Sequence, residues 1–187
     1  MIETSDLKIV LASVGSKKFN DYPDSIAAIL GEQIELTEFL SQNSYNDCFL
    51  NIWVKRACIE EFCLTDLQYQ ILFDKTSIRL LGVTFEGDIY NFAMATTIKL
   101  NVSFHEFYTV IKTSFNQMEV NYLYPLDITE ISKFIFNKGK FDYIGSNFEK
   151  HPSTDYRLLL IYLHHYGLRH GCQKIVKCSK RKANKKK

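Results

Sequence analysis

The residue types that could bind a metal ion are concentrated near the carboxyl end of the chain. Three of the five histidines and two of the five cysteines lie between His164 and Cys178. Neutral imidazole and thiolate are ligands that Zn²⁺ prefers, and four of them can complete a tetrahedral site. The candidate zinc ligands are therefore His165, His170, Cys172 and Cys178, although the Cys172-x5-Cys178 spacing is wider than in common zinc motifs. In the alternative interpretation, the histidines lie at a helix end, where imidazole can face the last carbonyls.

The same segment could also support nucleophilic catalysis, with Cys172 as nucleophile and His170 or His165 as base. Such a site needs an acid to orient the imidazole. No carboxylate follows Asp155, so the acid would have to come from the body of the protein, for example Asp142 or Asp155 itself. No G-x-S-x-G, H-E-x-x-H, Walker A or G-x-G-x-x-G pattern is present. The sequence therefore favours a non-enzymatic function without cofactors other than the candidate zinc.

Charge is divided sharply along the chain. Residues 1–155 contain 13 Lys and Arg against all 21 Asp and Glu, a net charge of −8, whereas residues 156–187 contain 10 Lys and Arg and no acid, a net charge of +10. Such asymmetry is typical of chains that meet nucleic acid, an anionic membrane or an acidic protein. The candidate nucleic-acid-binding residues are Arg157, Arg169, Lys174, Lys177, Lys180, Arg181, Lys182, Lys185, Lys186 and Lys187.

Three interpretations of this basic segment are open. It can neutralise phosphates and release their counterions whatever the base sequence. The stretch "KCSKRKANKKK" is also a loose match to a nuclear-import cluster. A solvated tail without a partner is the third interpretation. If the basic segment binds phosphates, we expect the protein to recognise RNA or the shape of the nucleic-acid backbone and not a base sequence.

Cysteine use and hydropathy predict the compartment. Five cysteines are an odd number, and Glu3 and Asp6 stand where a secretory signal would carry positive charge. The longest apolar run, "LLLIYL", is far shorter than the roughly 20 residues of a membrane span. We expect the protein to be located in the cytoplasm, a reducing compartment, and its basic tail could direct it to the nucleus.

Several helices are predicted from their start signals. Capping boxes at Thr65–Gln68, Ser103–Glu106 and Asp127–Glu130 each precede an apolar stretch. A helix containing "CFLNIWVKRACIEEFC" is expected to bury both Cys58 and Cys63 as small hydrophobes. Residues 153–166 form the predicted last helix.

Two further helices are predicted nearer the beginning of the chain. The spacing of Leu7, Val10, Leu11 and Val14 favours a short first helix, with a strand as the alternative for "KIVLASV". A second helix is expected from Ile26 onward, in "IAAILGEQIELTEFLSQ".

One region changes to the period of β structure. "SIRLLGVTF" and "IYNFAMATTIKL" are rich in β-branched and aromatic residues and predict an antiparallel hairpin over about 77–100. A candidate third strand for this hairpin lies at 119–124. The expected fold is α+β: one mainly helical globular domain over 1–172 with a small antiparallel sheet, followed by a disordered basic tail over 173–187.

These features predict a small nucleic-acid-binding accessory protein that favours RNA and contacts the phosphate backbone through its basic segment. The composition and basic tail are similar in style to viral accessory factors, including those that sequester RNA to suppress host silencing. The alternative is a protein-interaction module, such as an immunity protein, inhibitor or host-defence antagonist, whose acidic body meets a basic protein partner.

Overall fold

The computed structural model describes residues 1–14, 25–28, 49–86, 91–114, 120–136, 150 and 153–167. The basic residues from Arg169 onward therefore lie outside the described residues, as does the boundary predicted at residue 172. Among the helices that are described, no segment is long and apolar enough to cross a bilayer.

Among the described residues, six strands form one mixed sheet. The strands are β1 (Ile2–Glu3), β2 (Lys8–Val14), β3 (Ile26–Ala28), β4 (Ser77–Glu86), β5 (Asn91–Lys99) and β6 (Val120–Asp127). Strands β3, β2, β1, β5 and β4 follow one another in the sheet, and β6 pairs with β2. The β1–β5 pair is parallel, and the other strand pairs are antiparallel.

The helices lie on both faces of this sheet. They are α1 (Phe49–Phe62), α2 (Asp66–Phe73), α3 (Phe104–Ile111), α4 (Ile131–Phe136) and α5 (Thr154–Tyr162). A 3₁₀ turn, Ile128–Glu130, precedes α4, and a π-helical turn, Leu163–Gly167, continues α5. The α+β class predicted from the sequence is confirmed.

Alternation along the strands creates two cores. Ile2, Val10 and Ile98 point to one face and pack with α1, α2 and α3, where Phe62 and Phe107 meet edge to face at 5.6 Å. Residues of opposite parity point to the other face and pack with α4 and α5. Because Glu3 follows Ile2 in β1, its side chain faces the α5 layer.

Of the three predicted capping boxes, those at Thr65–Gln68 and Ser103–Glu106 form, and the one at Asp127–Glu130 does not. The Thr65 hydroxyl accepts from the Gln68 amide while the Gln68 side chain accepts from the Thr65 amide, and Ser103 and Glu106 repeat the arrangement. Asp127 caps the 3₁₀ turn by accepting from the amide of Thr129. The predicted hairpin forms as β4 and β5, with Ser77 opposite Lys99 and Arg79 opposite Thr97.

Four further local predictions were wrong. Residues 8–14 form strand β2 instead of a helix, because both faces of the strand are buried and its apolar residues need no alternation. Ile26–Ala28, the predicted start of a second helix, is strand β3. Strand β6 pairs with β2 and does not extend the hairpin. Cys63 is exposed.

Cys63 is exposed because it lies just beyond the end of α1. Its amide donates to the Glu60 carbonyl at 3.3 Å, and the Leu64 amide donates to the Ile59 carbonyl at 3.0 Å. These two bonds define a Schellman motif. The φ of Cys63 is 50°, the left-handed conformation that this motif requires.

Candidate functional site

A polar cleft of about 330 Å³ lies between the α5 face of the sheet and the π-helical turn. Three neighbouring strands contribute to its floor: Glu3 comes from β1, Thr97 and Lys99 come from β5, and Ser77 and Arg79 come from β4. The π-helical turn supplies His164 and His165 on the opposite side. The strand pairing explains this grouping, because Glu3 is opposite Lys99, Lys99 is opposite Ser77, and side chains at paired positions share a face.

A buried carboxylate holds one of the two histidines in place. The side chain of Glu3 is 3% exposed, and its Oε2 lies 2.9 Å from Nε2 of His165. An ionised carboxylate only accepts hydrogen bonds, so Nε2 of His165 carries the proton and donates. This contact joins residues 162 positions apart and orients the imidazole ring. Nδ1 is then the ring nitrogen left to act toward a ligand.

Two cations lie on the same floor. Nζ of Lys99 lies 3.4 Å from Oε1 of Glu3, an ion pair without hydrogen-bond geometry, and the Lys99 side chain is 50% exposed. Arg79 is exposed on β4, the edge strand next to β5. The cleft is therefore acidic and buried at β1 and basic and open at β4.

Two buried oxygens at this cleft lack a hydrogen-bond partner among the described residues. They are Oε1 of Glu3 and Oγ1 of Thr97. Thr97 is 3% exposed. Buried polar atoms are nearly always hydrogen-bonded in folded proteins, and exceptions often mark sites that meet a ligand or ion. These two atoms are the strongest local indication that the cleft is functional.

The second histidine, His164, is tuned by its surroundings. Burial lowers the pKa of His164, and the neighbouring basic groups of His165, Arg79 and Lys99 lower it further, while Glu3 opposes them. The rings of His164 and His165 make a T-shaped contact, with their centroids 5.4 Å apart. His164 is thus favoured in its neutral form, in which one ring nitrogen can accept and the other can donate.

The π-helical geometry of Leu163–Gly167 contributes to this arrangement. Turns of this kind are rare and are frequently found at functional sites. Both consecutive histidines line the same cleft. This turn belongs to the acid-free basic segment, residues 156–187, which continues beyond Gly167.

The structure describes two of the residues predicted as site residues. Arg157 lies on α5, and its Nη1 donates to the carbonyl of Ala28 at 3.1 Å, so part of its guanidinium is engaged within the protein. His165 binds Glu3. The other predicted nucleic-acid-binding residues and the remaining zinc candidates, His170, Cys172 and Cys178, lie outside the described residues. Within the described ranges, no group of three or more His, Cys, Asp or Glu residues could hold a metal ion.

The acid that orients a histidine is Glu3, which the sequence did not indicate. Asp155, one of the acids considered, instead pairs with Nζ of Lys150 at 2.7 Å, and Asp142 lies outside the described residues. A possible signal for Glu3 was its place in a short apolar strand, where an unpaired acid would be costly.

Comparisons with known proteins add little to this geometry. No family model matches the chain, and no curated protein matches it. Among solved structures, the fold is similar to the crystal structure of DR0079 from Deinococcus radiodurans, with a TM-score of 0.44 and 13% sequence identity. The match covers 85% of this chain and 76% of that chain. At this TM-score the similarity carries no inference about function.

Proposed function

We propose that the protein is a small, non-enzymatic nucleic-acid-binding accessory protein that favours RNA and binds the phosphate backbone through its basic C-terminal segment. The observation that carries the proposal is the position of the basic end of the cleft. Arg79 and Lys99 line the cleft opposite His164 and His165 of the π-helical turn, and residues 168–187 follow this turn in the chain. That segment contains nine Lys and Arg and no acid.

The acidic body makes this position important. A net charge of −8 over residues 1–155 repels phosphate, so binding requires a local concentration of positive charge. Arg79 and Lys99 place two cations of the body in the same cleft as the π-helical turn, which is part of the basic segment. A strand of RNA bound by the basic segment can also contact these two cations, whereas the rest of the acidic body repels phosphate.

The test is binding of short duplex and single-stranded RNA at graded salt concentrations. Full-length protein is compared with a chain ending at Gln173, which lacks eight Lys and Arg. If all eight contact a duplex, the logarithm of the affinity should fall with the logarithm of the salt concentration with a slope of about −7, and the truncated chain should lose most of this slope. Lys112→Gln is the control, because it removes one exposed positive charge at the carboxyl end of α3, outside the basic segment. Absence of binding at low salt, or equal binding by the truncated chain, would overturn the proposal.

The second candidate is a protein-interaction module that meets a basic partner. One observation favours it: Leu67 and Ile71 are 66% and 57% exposed, one helical turn apart on α2, with Asp66 and Asp74 at the two ends of that helix. An apolar pair beside acidic residues suits a basic protein surface. Replacing Leu67 and Ile71 with Ser should then abolish partner binding, and truncation at Gln173 should leave partner binding intact.

A further inference from the structure

We propose that the cleft binds one ribose phosphate unit of an RNA chain, with the phosphate at Arg79 and Lys99 and the ribose 2′-hydroxyl donating a hydrogen bond to the carboxylate of Glu3. This inference rests on the proposed RNA-binding function and names the chemical group that the cleft recognises.

The first step of the argument is the polarity of the cleft. Glu3 on β1 and Arg79 on β4 are separated by the intervening strand β5, which places their backbones roughly 10 Å apart, or two strand spacings. The ligand must therefore present a hydrogen-bond donor at one end and an anion at the other. A free phosphate is too small to reach from one end to the other, and a cationic ligand would be repelled by Arg79 and Lys99. A ribose phosphate has both groups.

The second step is the set of unsatisfied atoms. Oε1 of Glu3 and Oγ1 of Thr97 are buried without hydrogen-bond partners among the described residues, and Nζ of Lys99 lies 3.4 Å from Oε1. Lys99 is half-exposed and has a flexible stem, so it can turn toward a phosphate bound at Arg79. Oε1 is then free to accept from a ribose hydroxyl, and Thr97 can hydrogen-bond to the same group. One ligand thus satisfies both atoms and keeps Lys99 paired.

The third step is the size and support of the site. A cleft of about 330 Å³ is at the lower end of the range for small-ligand sites, which suits one nucleotide unit and excludes a duplex. His165 fixes Oε2 of Glu3, so the carboxylate is already oriented before a ligand enters. The 2′-hydroxyl is the group by which a protein distinguishes RNA from DNA at one site. The cleft therefore gives the RNA preference that a basic tail alone cannot give.

The experiment measures the affinity of the full-length protein for a short single-stranded RNA, the DNA of the same sequence and the 2′-O-methyl RNA. A hydrogen bond to a charged acceptor should make RNA bind about tenfold or more tightly than either analogue. Glu3→Gln should reduce this ratio to a few-fold, because the neutral amide is a weaker acceptor. Arg79→Gln should weaken RNA and DNA binding equally, and the control Lys112→Gln should change the ratio in neither direction.

A second variant keeps the test decisive if Glu3→Gln fails to fold. Thr97→Val has nearly the same shape and removes a hydroxyl that has no partner among the described residues, so folding should be retained. It should also lower the RNA-to-DNA ratio. Equal binding of RNA and DNA by the folded wild-type protein, or a ratio unchanged by the folded Glu3 and Thr97 variants, overturns this inference while RNA binding itself stands. Absence of RNA binding by the wild-type protein overturns the proposed function as well.

Discussion

Replacing His165 with Ala should destabilise the protein, because it removes a hydrogen bond to a buried carboxylate. His165 donates to Oε2 of Glu3 at 2.9 Å, and the Glu3 side chain is 3% exposed. A hydrogen bond to a charged group contributes about 1.5–3 kcal/mol to the free energy of unfolding. Breaking a fully buried ion pair costs about 3–5 kcal/mol, an upper bound here because Lys99 stays within 3.4 Å of the other oxygen.

We therefore expect a loss of about 2–3 kcal/mol, which corresponds to a fall in Tm of roughly 4–12 °C for a chain of this length. Urea denaturation followed by the fluorescence of Trp53, the single tryptophan, measures the loss, and the m-value should not change. Trp53 lies on the buried face of α1 and is 8% exposed, so its environment changes on unfolding.

His164→Ala is the matched control, because His164 borders the same cleft one residue earlier while the bond to Glu3 comes from His165. His164→Ala should lower the free energy of unfolding by about 0.5 kcal/mol or less. A double-mutant cycle with Glu3→Gln isolates the interaction of the pair and should give a coupling of about 1 kcal/mol or more. Equal losses for the two histidine variants, together with no coupling, would refute the assigned role of Glu3 in holding His165.

Three further predictions concern stability. Cys63→Gly should raise the free energy of unfolding by about 1 kcal/mol, because residue 63 has a φ of 50° that glycine adopts without strain; Cys63→Ala is the control and should give no such gain in urea denaturation. Thr65→Ala should lower it by about 1 kcal/mol through loss of the α2 cap, measured in the same way, and a change below the error would contradict the capping assignment. Hydrogen bonds from Lys8 and Thr129 hold the pKa of Asp127 well below its ordinary value of 3.8. The ionised carboxylate therefore stabilises the fold above pH 3.8, and this stabilisation is lost as the pH falls through the lower pKa that Asp127 has in the folded protein. Asp127→Asn should cost about 0.5–1 kcal/mol at neutral pH, since the side chain is 37% exposed, and the difference from wild type should shrink in acid; a constant difference would contradict the linkage.

Local features of the structure were predictable because neighbouring residues determine them. The Thr65–Gln68 and Ser103–Glu106 caps each involve side chains three residues apart, so these bonds depend on local sequence alone. The β4–β5 hairpin joins strands adjacent in the chain, so its pairing also follows from local sequence. The charge division needs no structure at all, since it is a property of residue order.

Features that depend on distant residues were decided by the tertiary structure. Residues 8–14 have apolar residues at helical spacing, but pairing with β6 along their length and burial on both faces outweigh a weak local preference. Cys63 lies on the same pattern as Cys58, yet α1 ends at Phe62 and turns Cys63 outward.

The candidate site shows the same division most clearly. From the sequence alone, His165 was a possible ligand or base without an acid, and the basic segment was a run of charge without a place on the body. The packing of α5 and its π-helical turn on the sheet brings His165 to Glu3 across 162 residues, and the pairing of β1 with β5 places Lys99 and Thr97 beside Glu3. Residue order alone determined how much charge the protein carries and where it lies along the chain. Only the packing of the last helix on the assembled sheet decided which carboxylate is buried against which histidine, because that contact is stabilised by burial in the core and not by any local preference.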